Sequence, residues 1–475
     1  MSPNVYDAVV VGSGPNGLAA AIELARHGQR VAVLEAEDTF GGGVRSAEIT
    51  LPGFVHDLGS AIHPLGVASP FFSSLPLEDH GLDWIHPTAP LAHPFDDGTA
   101  AILHRSVDKT AAGLGPDGDA YRKLMAPLSA DAARISTSLT GDLQFPRHPL
   151  SLALGGLRAL RPAHTLANEV FEGGPARGLF AGNAAHSFLP LEGRPSSLFG
   201  LVLGATGHAF GWPFPRGGAQ KMADALVSYL RTLGGELFTG SRVGSMRDVP
   251  PTRTVLFDVT PRQLLDIAGE HFTEKYSRSL GRYKYGPGVF KVDFALDGPI
   301  PWNSADCLDA GTVHLGGSLE DVASGEAAVS RGEHPEKPFV LLAQHTLFDD
   351  TRAPEGKHTV WAYCHVPNGS TFDMTGRIEQ QIERFAPGFR DRILAKTTAG
   401  PTELASQNAN LIGGDINGGY MDLKQLIARP MARLNPYSTS APGLYICSSS
   451  TPPGGAAHGL CGFMAARFAL RYLRR

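Results

Sequence analysis

Six residues near the start of the chain, Gly12-Ser13-Gly14-Pro15-Asn16-Gly17, constrain the fold more than any other feature. They follow an apolar, β-branched run, Tyr6–Val11 (YDAVVV), of the kind a strand buried on both faces requires. They precede residues 18–27 (LAAAIELARH), where small and apolar residues recur at helical spacing, and Gly28 stops that helix just past its C-cap. Residues 30–34 (RVAVL) form a second strand with Glu35 at its end. Each part has a physical task. Gly12 permits a tight strand-to-helix turn, Gly14 lets backbone approach a pyrophosphate, and Gly17 lets the helix pack closely on the strand. The helix N-terminus offers unpaired N–H groups and the positive end of its dipole to phosphates. Glu35, 18 residues after Gly17, is placed to accept hydrogen bonds from a ribose diol. The unit predicts an α/β fold whose Rossmann-type parallel sheet holds a dinucleotide.

A second glycine cluster, residues 40–46 (FGGGVRS), follows within one loop. An acid trailed by a glycine pair and a basic residue resembles the second FAD signature of the glutathione-reductase-like superfamily. By that resemblance Ala36, Gly42, Gly43, Val44 and Arg45 pass close to the cofactor. Many amine-oxidase-type members carry Arg directly after the glycine pair; here Gly43 stands there and Arg45 comes two residues later. Near the other end, residues 443–447 (GLYIC) read as a turn and short strand. Pro452, Pro453, Gly454 and Gly455 then force the backbone to turn, and an apolar helix closes the chain from about Leu460 to Leu473. A helix N-terminus near Gly459 can aim N–H groups at the flavin edge that gains negative charge on reduction.

Over most of its length the chain resembles the phytoene desaturase family of FAD-dependent oxidoreductases, and within it the bacterial phytoene dehydrogenase-related NAD(P)/FAD-dependent branch. The segments that carry this are residues 51–65 (LPGFVHDLGSAIHPL), 211–226 (GWPFPRGGAQKMADAL), 413–426 (GGDINGGYMDLKQL), 428–430 (ARP) and 436–459 (PYSTSAPGLYICSSSTPPGGAAHG). Carotenogenic members often show a T-H-P pattern near the end, where this chain has Thr451-Pro452-Pro453. The resemblance implies a glutathione-reductase-like FAD-binding domain built from residues 1–75, 212–262 and 432–475. Residues 76–211 and 263–431 then form an inserted α+β substrate-binding domain. Within the first domain, residues 226–233 read as helix, 236–243 as strand and 254–259 (TVLFDV) as a buried strand. The resemblance places Ser60, Ala61, Ile62 and His63 beside the flavin and gives the backbone of Val243 the adenine. It brings Ser449, Ala456, His458, Gly459 and Leu460 back to the cofactor from the end of the chain.

Candidate catalytic residues are His63, His186, His458 and Asp415, each of which also fits a plain structural role. Trp212 and Phe214 are candidates to line a substrate cavity. The four cysteines, Cys307, Cys364, Cys447 and Cys461, form no C-x-x-C pair, which excludes a dithiol relay and reads as four small buried residues. No spacing suggests a metal site, and none is expected.

At 475 residues, 42% apolar and 18% charged, the chain can bury a large core in two or three domains. Its formal net charge of −5 and scattered Lys and Arg exclude a nucleic-acid stripe. No apolar run is long enough to span a bilayer, the start does not read as a signal peptide, and a cytoplasmic setting is expected. Residues 148–161 contain LSLALGGLRAL, which reads as a buried amphipathic helix, with a lid or a peripheral membrane contact as the alternative. A second G-x-G-x-x-G in strand–turn–helix context is lacking, so electrons are expected to leave to an external acceptor, oxygen or a quinone. The activity expected is hydride transfer from a carbon of an apolar or bulky organic substrate to flavin N5. The rivals are a redox-neutral FAD-dependent isomerase, an amine-oxidase-like oxidase, and a lipid- or protein-binding chaperone of GDP-dissociation-inhibitor type.

Overall fold

A computed structural model describes residues 6–138 and 149–474. Its first sheet has five parallel strands in the order Leu444–Ile446, Thr252–Phe257, Tyr6–Val11, Val31–Leu34, Glu236–Phe238. Val10 lies beside Leu256 on one side and Val33 on the other, so the first strand is central and buried on both faces. Three helices, Pro15–Arg26, Gln220–Thr232 and Leu460–Leu473, cover one face and share a core rich in alanine. Small residues allow very close approach here. A Cβ added at Gly462 would lie 1.7 Å from the Asn16 carbonyl oxygen, and one at Gly17 would lie 2.1 Å from that of Gly12. The first helix ends as expected. Gly28 adopts φ +75°, its N–H donates to the Ala25 carbonyl (2.9 Å), and the Gln29 N–H donates to that of Leu24 (3.2 Å).

The second sheet has seven strands in the order Ile393–Ala399, Gly288–Leu296, His358–Val366, Val340–Ala343, Ala310–Leu315, Ala89–Pro94, Ala100–Leu103. Its pairings are antiparallel except that Ala310–Leu315 runs parallel to Ala89–Pro94. Side chains alternate between its faces. Phe290, Val292, Phe294, Val360, Ala362 and Cys364 pack with Ile378, Ile382 and Phe385 of the helix Thr375–Phe385 in a wholly apolar core. The opposite face carries Lys291, Asp293, Trp361, Tyr363, His365, Thr312 and His314, and it looks toward the first sheet's cavity and the helices Gly174–Ala185 and Ser196–Ala209. A Rossmann-type α/β sheet beside a mixed sheet with helices is the fold class the sequence predicts.

Some local expectations are corrected. Residues 236–243 are strand only over Glu236–Phe238, because the chain then hooks over the second strand's end: the Gly240 N–H donates to the Glu37 carbonyl (3.0 Å) and the Ser241 N–H to that of Glu35 (2.7 Å). The strand expected at 254–259 is Thr252–Phe257, which leaves Asp258 and Val259 beyond its end. Within 148–161, His148 lies outside the described residues, and the rest contains the helix Pro149–Ala159. The leucines described there, two in the helix and Leu160 just beyond it, are not buried. Leu154, Leu157 and Leu160 are 49%, 66% and 46% exposed. The helix's small residues face inward instead: a Cβ at Gly155 would lie 2.8 Å from Leu128, and Ala159 is buried. The four cysteines are buried and unpaired. Among the described residues no helix is long and apolar enough to cross a membrane.

Candidate active site

One cavity of about 420 Å³ runs from the glycine-rich turn to the polar face of the second sheet, within the size range of small-molecule sites. At one end its wall is mostly backbone. Gly12, Gly14, Pro15 and Asn16 line it, with Glu35 and Ala36 from the end of the second strand and Val243 from the hooked loop. Glu35 accepts hydrogen bonds from the Ser13 N–H (2.9 Å), the Ser13 hydroxyl (2.5 Å) and the Glu37 N–H (3.0 Å), which fixes its carboxylate at the strand tip. Gly42, Gly43, Val44 and Arg45 form the facing wall. Arg45 is committed elsewhere: it donates to the carbonyls of Gly42 (3.1 Å) and Gln407 (2.5 Å) and stands 3.8 Å from Glu37.

The residues of this end fit a dinucleotide. Gly14 and Gly42 approach so closely that a Cβ on Gly42 would lie 3.0 Å from the Gly14 Cα, so only bare backbone can form this cradle. The buried Asn16 Oδ1 and both ring nitrogens of His63 have no hydrogen-bond partner among the described residues. Gly17 stands behind the wall, its N–H donating to Asp258 Oδ2 (2.9 Å). Asp258 itself faces the cavity, and burial raises its carboxyl to about 7 despite the Gly17 N–H, with the nearby Glu35 charge adding to the rise. The sequence analysis did not select Asp258; its signal is an acid placed directly after a buried strand.

In the middle of the cavity stand Ser60, Ala61, Ile62 and His63 from one side and Ser449 and Ala456 from the other. Ala456 has φ +111°, a strained conformation for an L-residue at a ligand wall. Burial lowers His63 to about 4. Behind this wall, Asp57 and Asp349 share the fully buried Arg352 at 2.7 and 3.1 Å, which ties residues near 57 to the second sheet's domain. Burial opposes ionisation of Asp57, yet Arg352, His345 and the Ser46 hydroxyl together hold it well below the usual carboxylate range. His458 does not reach the cavity. Its Nδ1 accepts the Leu460 N–H at 3.0 Å, so it caps the closing helix, and Gly459 and Leu460 pack behind the wall with it. Burial lowers His458 to about 4. Phe214 also lies outside the wall, edge-on to His345 at 4.7 Å.

At the far end His186, Phe188, Trp212, Lys291, Thr312 and Tyr363 line the space. His186 Nε2 is 3.0 Å from His314 Nε2, and burial holds His186 down at about 3. Lys291 is buried and paired with Asp293. Burial raises Asp293 to about 6 against the pull of Lys291. Asp415 borders the cavity but is engaged by the N–H groups of Gly286 (2.7 Å) and Asn417 (2.8 Å), a clamp between two loops. Lys291, Asp293, Trp361 and Tyr363 were not selected from sequence. Their trace is the alternation in GVFKVDFAL and HTVWAYCHV, where one face of each strand is apolar and the other polar or aromatic. Among the described residues no group of three His, Cys, Asp or Glu could hold a metal.

Comparison with known proteins accords with this geometry. Residues 10–75 match the family model of an NAD(P)-binding Rossmann-like domain. Over 99% of its length the chain is 26% identical to pyridine nucleotide-disulfide oxidoreductase domain-containing protein 2 of Mus musculus, covering 94% of that protein. It is 25% identical to the neurosporene-forming phytoene desaturase of Rhodobacter capsulatus, over 96% of this chain and 92% of the other. The chain is a homologue of the phytoene desaturase-like oxidoreductases. In overall fold this oxidoreductase also matches cyclohexylamine oxidase from Brevibacterium oxydans, with a TM-score of 0.59 at 16% identity over 99% of this chain and all (100%) of the other. The resemblance stated from sequence thus holds along nearly the whole chain, and the family model falls on the residues that include the glycine turn.

Proposed function

We propose that the chain binds FAD in the cradle and oxidises an apolar or bulky organic substrate held against the second sheet. The single observation that carries this is the continuity of the cavity, which joins a dinucleotide cradle to a walled chamber. FAD supplies a two-electron hydride acceptor when bound. The chain's own residues do the rest. The glycine turn and the first helix's N-terminus would hold the pyrophosphate, and Glu35, fixed at the strand tip by Ser13, would hold the ribose hydroxyls. Phe188, Phe199, Leu203, Trp212 and Leu341 exclude water and position the substrate carbon. Loss of hydride from one carbon and a proton from its neighbour leaves a double bond. His186 Nε2 is the titratable atom in that wall able to receive the proton, whereas Lys291 Nζ is committed as the cation paired with Asp293. Electrons then pass to an external acceptor, oxygen or a quinone.

An amine substrate is less well served. Asp293 is spent on Lys291 and Asp415 on two backbone N–H groups, so among the described residues the chamber has no free carboxylate to hold an ammonium. The exposed leucines of Pro149–Ala159 lie beside Ser196–Ala209, whose Phe199 and Leu203 line the chamber, and support peripheral contact with a lipid surface during loading. The purified protein should be yellow, and anaerobic substrate should bleach its oxidised flavin band. Turnover only after prereduction, with no acceptor consumed, would replace oxidation by isomerisation. A colourless protein that takes up no added FAD would leave only a binding role.

A further inference from the structure

Among the described residues two arginines, Arg352 and Arg429, are fully buried, and they are served differently. Arg352 is held by two carboxylates, Asp57 at 2.7 Å and Asp349 at 3.1 Å. Arg429 is held by backbone and sulfur: it donates to the carbonyls of Ser449 (3.0 Å) and Gln425 (3.3 Å) and to the Met421 Sδ (3.1 Å). No described carboxylate lies within 4 Å of its nitrogens. Asp415 acts on it through space and is itself clamped by the N–H groups of Gly286 (2.7 Å) and Asn417 (2.8 Å). Two further ionisable groups that feel its charge are neutral, since burial raises the Tyr283 phenol to about 12 and the Cys461 thiol to about 11. A cation taken out of water without an ion-pair partner is costly, so this one calls for an anion.

Its position says which anion. The guanidinium backs the last loop of the chain: a Cβ added at Gly454 would lie 2.9 Å from Arg429 Nη1, and Ser449, Gly455 and Ala456 of that loop line the cavity. Ser449 Oγ is 3.5 Å from Asn16 Nδ2, which ties this wall to the N-terminus of the first helix, where phosphates are favoured. The three cations that line the cavity are spent. Arg45 stands 3.8 Å from Glu37, Arg242 stands 3.5 Å from the same carboxylate, and Lys291, on the sheet that floors the chamber, is paired with Asp293. We propose that Arg429 is the buried counter-charge of the dinucleotide's pyrophosphate. It acts across Ser449 without touching the ligand. Its field passes through a wall of low dielectric, and its bond holds the Ser449 carbonyl oxygen on its own side. This assignment rests on the reading of the glycine turn as the cradle of FAD and adds the residue that balances the cofactor's charge.

The test uses the full-length protein stripped of cofactor and three probes titrated by calorimetry: FAD, ADP and adenosine. ADP keeps the two phosphates without the flavin, and adenosine keeps neither. Arg429→Gln removes the charge and keeps a donor for Ser449; Arg429→Lys keeps the charge and loses the planar fork. In Arg429→Gln, FAD and ADP should each bind about tenfold more weakly, while adenosine affinity stays unchanged. Arg429→Lys should recover most of the FAD and ADP affinity. The urea midpoint of cofactor-free Arg429→Gln should be unchanged or higher, because an unpaired buried charge has gone, and the stability that added FAD confers should shrink. Adenosine affinity that falls in step with ADP, an Arg429→Lys protein as weak as Arg429→Gln, or a cofactor-free Arg429→Gln protein that is less stable or unfolded would each make Arg429 a structural tie alone and overturn the proposal. Full FAD affinity in a yellow Arg429→Gln sample would also overturn it and leave the flavin reading intact. Samples that stay colourless with FAD yet show the charge-dependent loss with ADP would instead break the flavin reading and leave the counter-charge standing.

Discussion

The two ends of the cavity are built on opposite plans. The cradle end is made mostly of backbone close together in sequence: a strand, a turn and a helix within 6–26 and the glycine loop at 42–45, with the carboxyls of Glu35 and Asp258 beside it. The floor end is made of side chains gathered from separate strands, Lys291 from one, Thr312, Leu341 and Tyr363 from three others. A backbone cradle grips what all dinucleotides share. A side-chain floor selects among substrates, because each position can change without moving the strand beneath it. The difference teaches where substitutions act: in the cradle they should remove the cofactor, and on the floor they should change its use.

The largest effect should come from adding a single methyl to the cradle. In Gly17→Ala the new Cβ would meet the Gly12 carbonyl oxygen at 2.1 Å and Asp258 Oδ2 at 3.1 Å, and neither can yield without opening the turn. We expect loss of bound flavin and a stability cost of about 3 kcal/mol. Leu341→Ala on the floor should cost about as much stability by leaving a cavity, yet keep flavin at full stoichiometry. Absorbance of the purified variants separates the two outcomes. If both lose flavin alike, the cradle and floor are not the independent halves described here.

The same contrast explains what could be read from sequence. The turn, the first helix with its Gly28 stop, and Glu35 were legible because every determinant lies within one short stretch. The closing helix Leu460–Leu473 was legible because glycine and proline fence it. The floor was not, since which residues share a row depends on register between strands as far apart as 293 and 361. Local motif reading likewise misdirected His458, placed by resemblance at the flavin but spent on capping the Leu460 N–H. It also missed Asp258, whose importance comes only from the Gly17 N–H that folding brings to it. Leu154 and Leu157 point outward for a related reason: helical periodicity shows that a face is apolar, while only packing shows that Gly155 and Ala159 take the inner side.

Asp258 offers the next test, since it is a titratable side chain inside a wall otherwise made of backbone. Burial raises its carboxyl from 3.8 to about 7, so the folded protein keeps a proton there that the unfolded chain has already released. Between those values the native state binds more protons than the unfolded state, and stability therefore falls as pH rises. The contribution is fully present below about 4 and is lost by the time pH has passed about 7. Asp258→Asn cannot ionise and keeps an acceptor for the Gly17 N–H. Its unfolding free energy, followed by urea titration, should lack this decline. Flavin retention should diverge in the same direction, because a charge appearing on Asp258 above pH 7 repels the phosphates while the amide does not. Parallel profiles for the two proteins across pH 4 to 8 would show that Asp258 is ionised throughout and that the cradle tolerates its charge.

The smallest effect on the fold should come from the outer surface of the floor half. Leu154, Leu157 and Leu160 face outward, with Val202 of the neighbouring helix also exposed. Arg158 and Arg161 stand among them, while the nearest acid after 157, Glu169, is already paired with Arg161. A cationic apolar face of this kind suits an anionic lipid surface. Leu157→Glu places a charge at its most exposed point, where a substitution should shift stability by no more than about 0.5 kcal/mol. Flotation with vesicles containing phosphatidylserine should recover the unaltered protein and not the variant, while both keep flavin and treat a detergent-dispersed substrate alike. Equal flotation of the two would remove the lipid surface from the loading route without touching either the cradle or the floor.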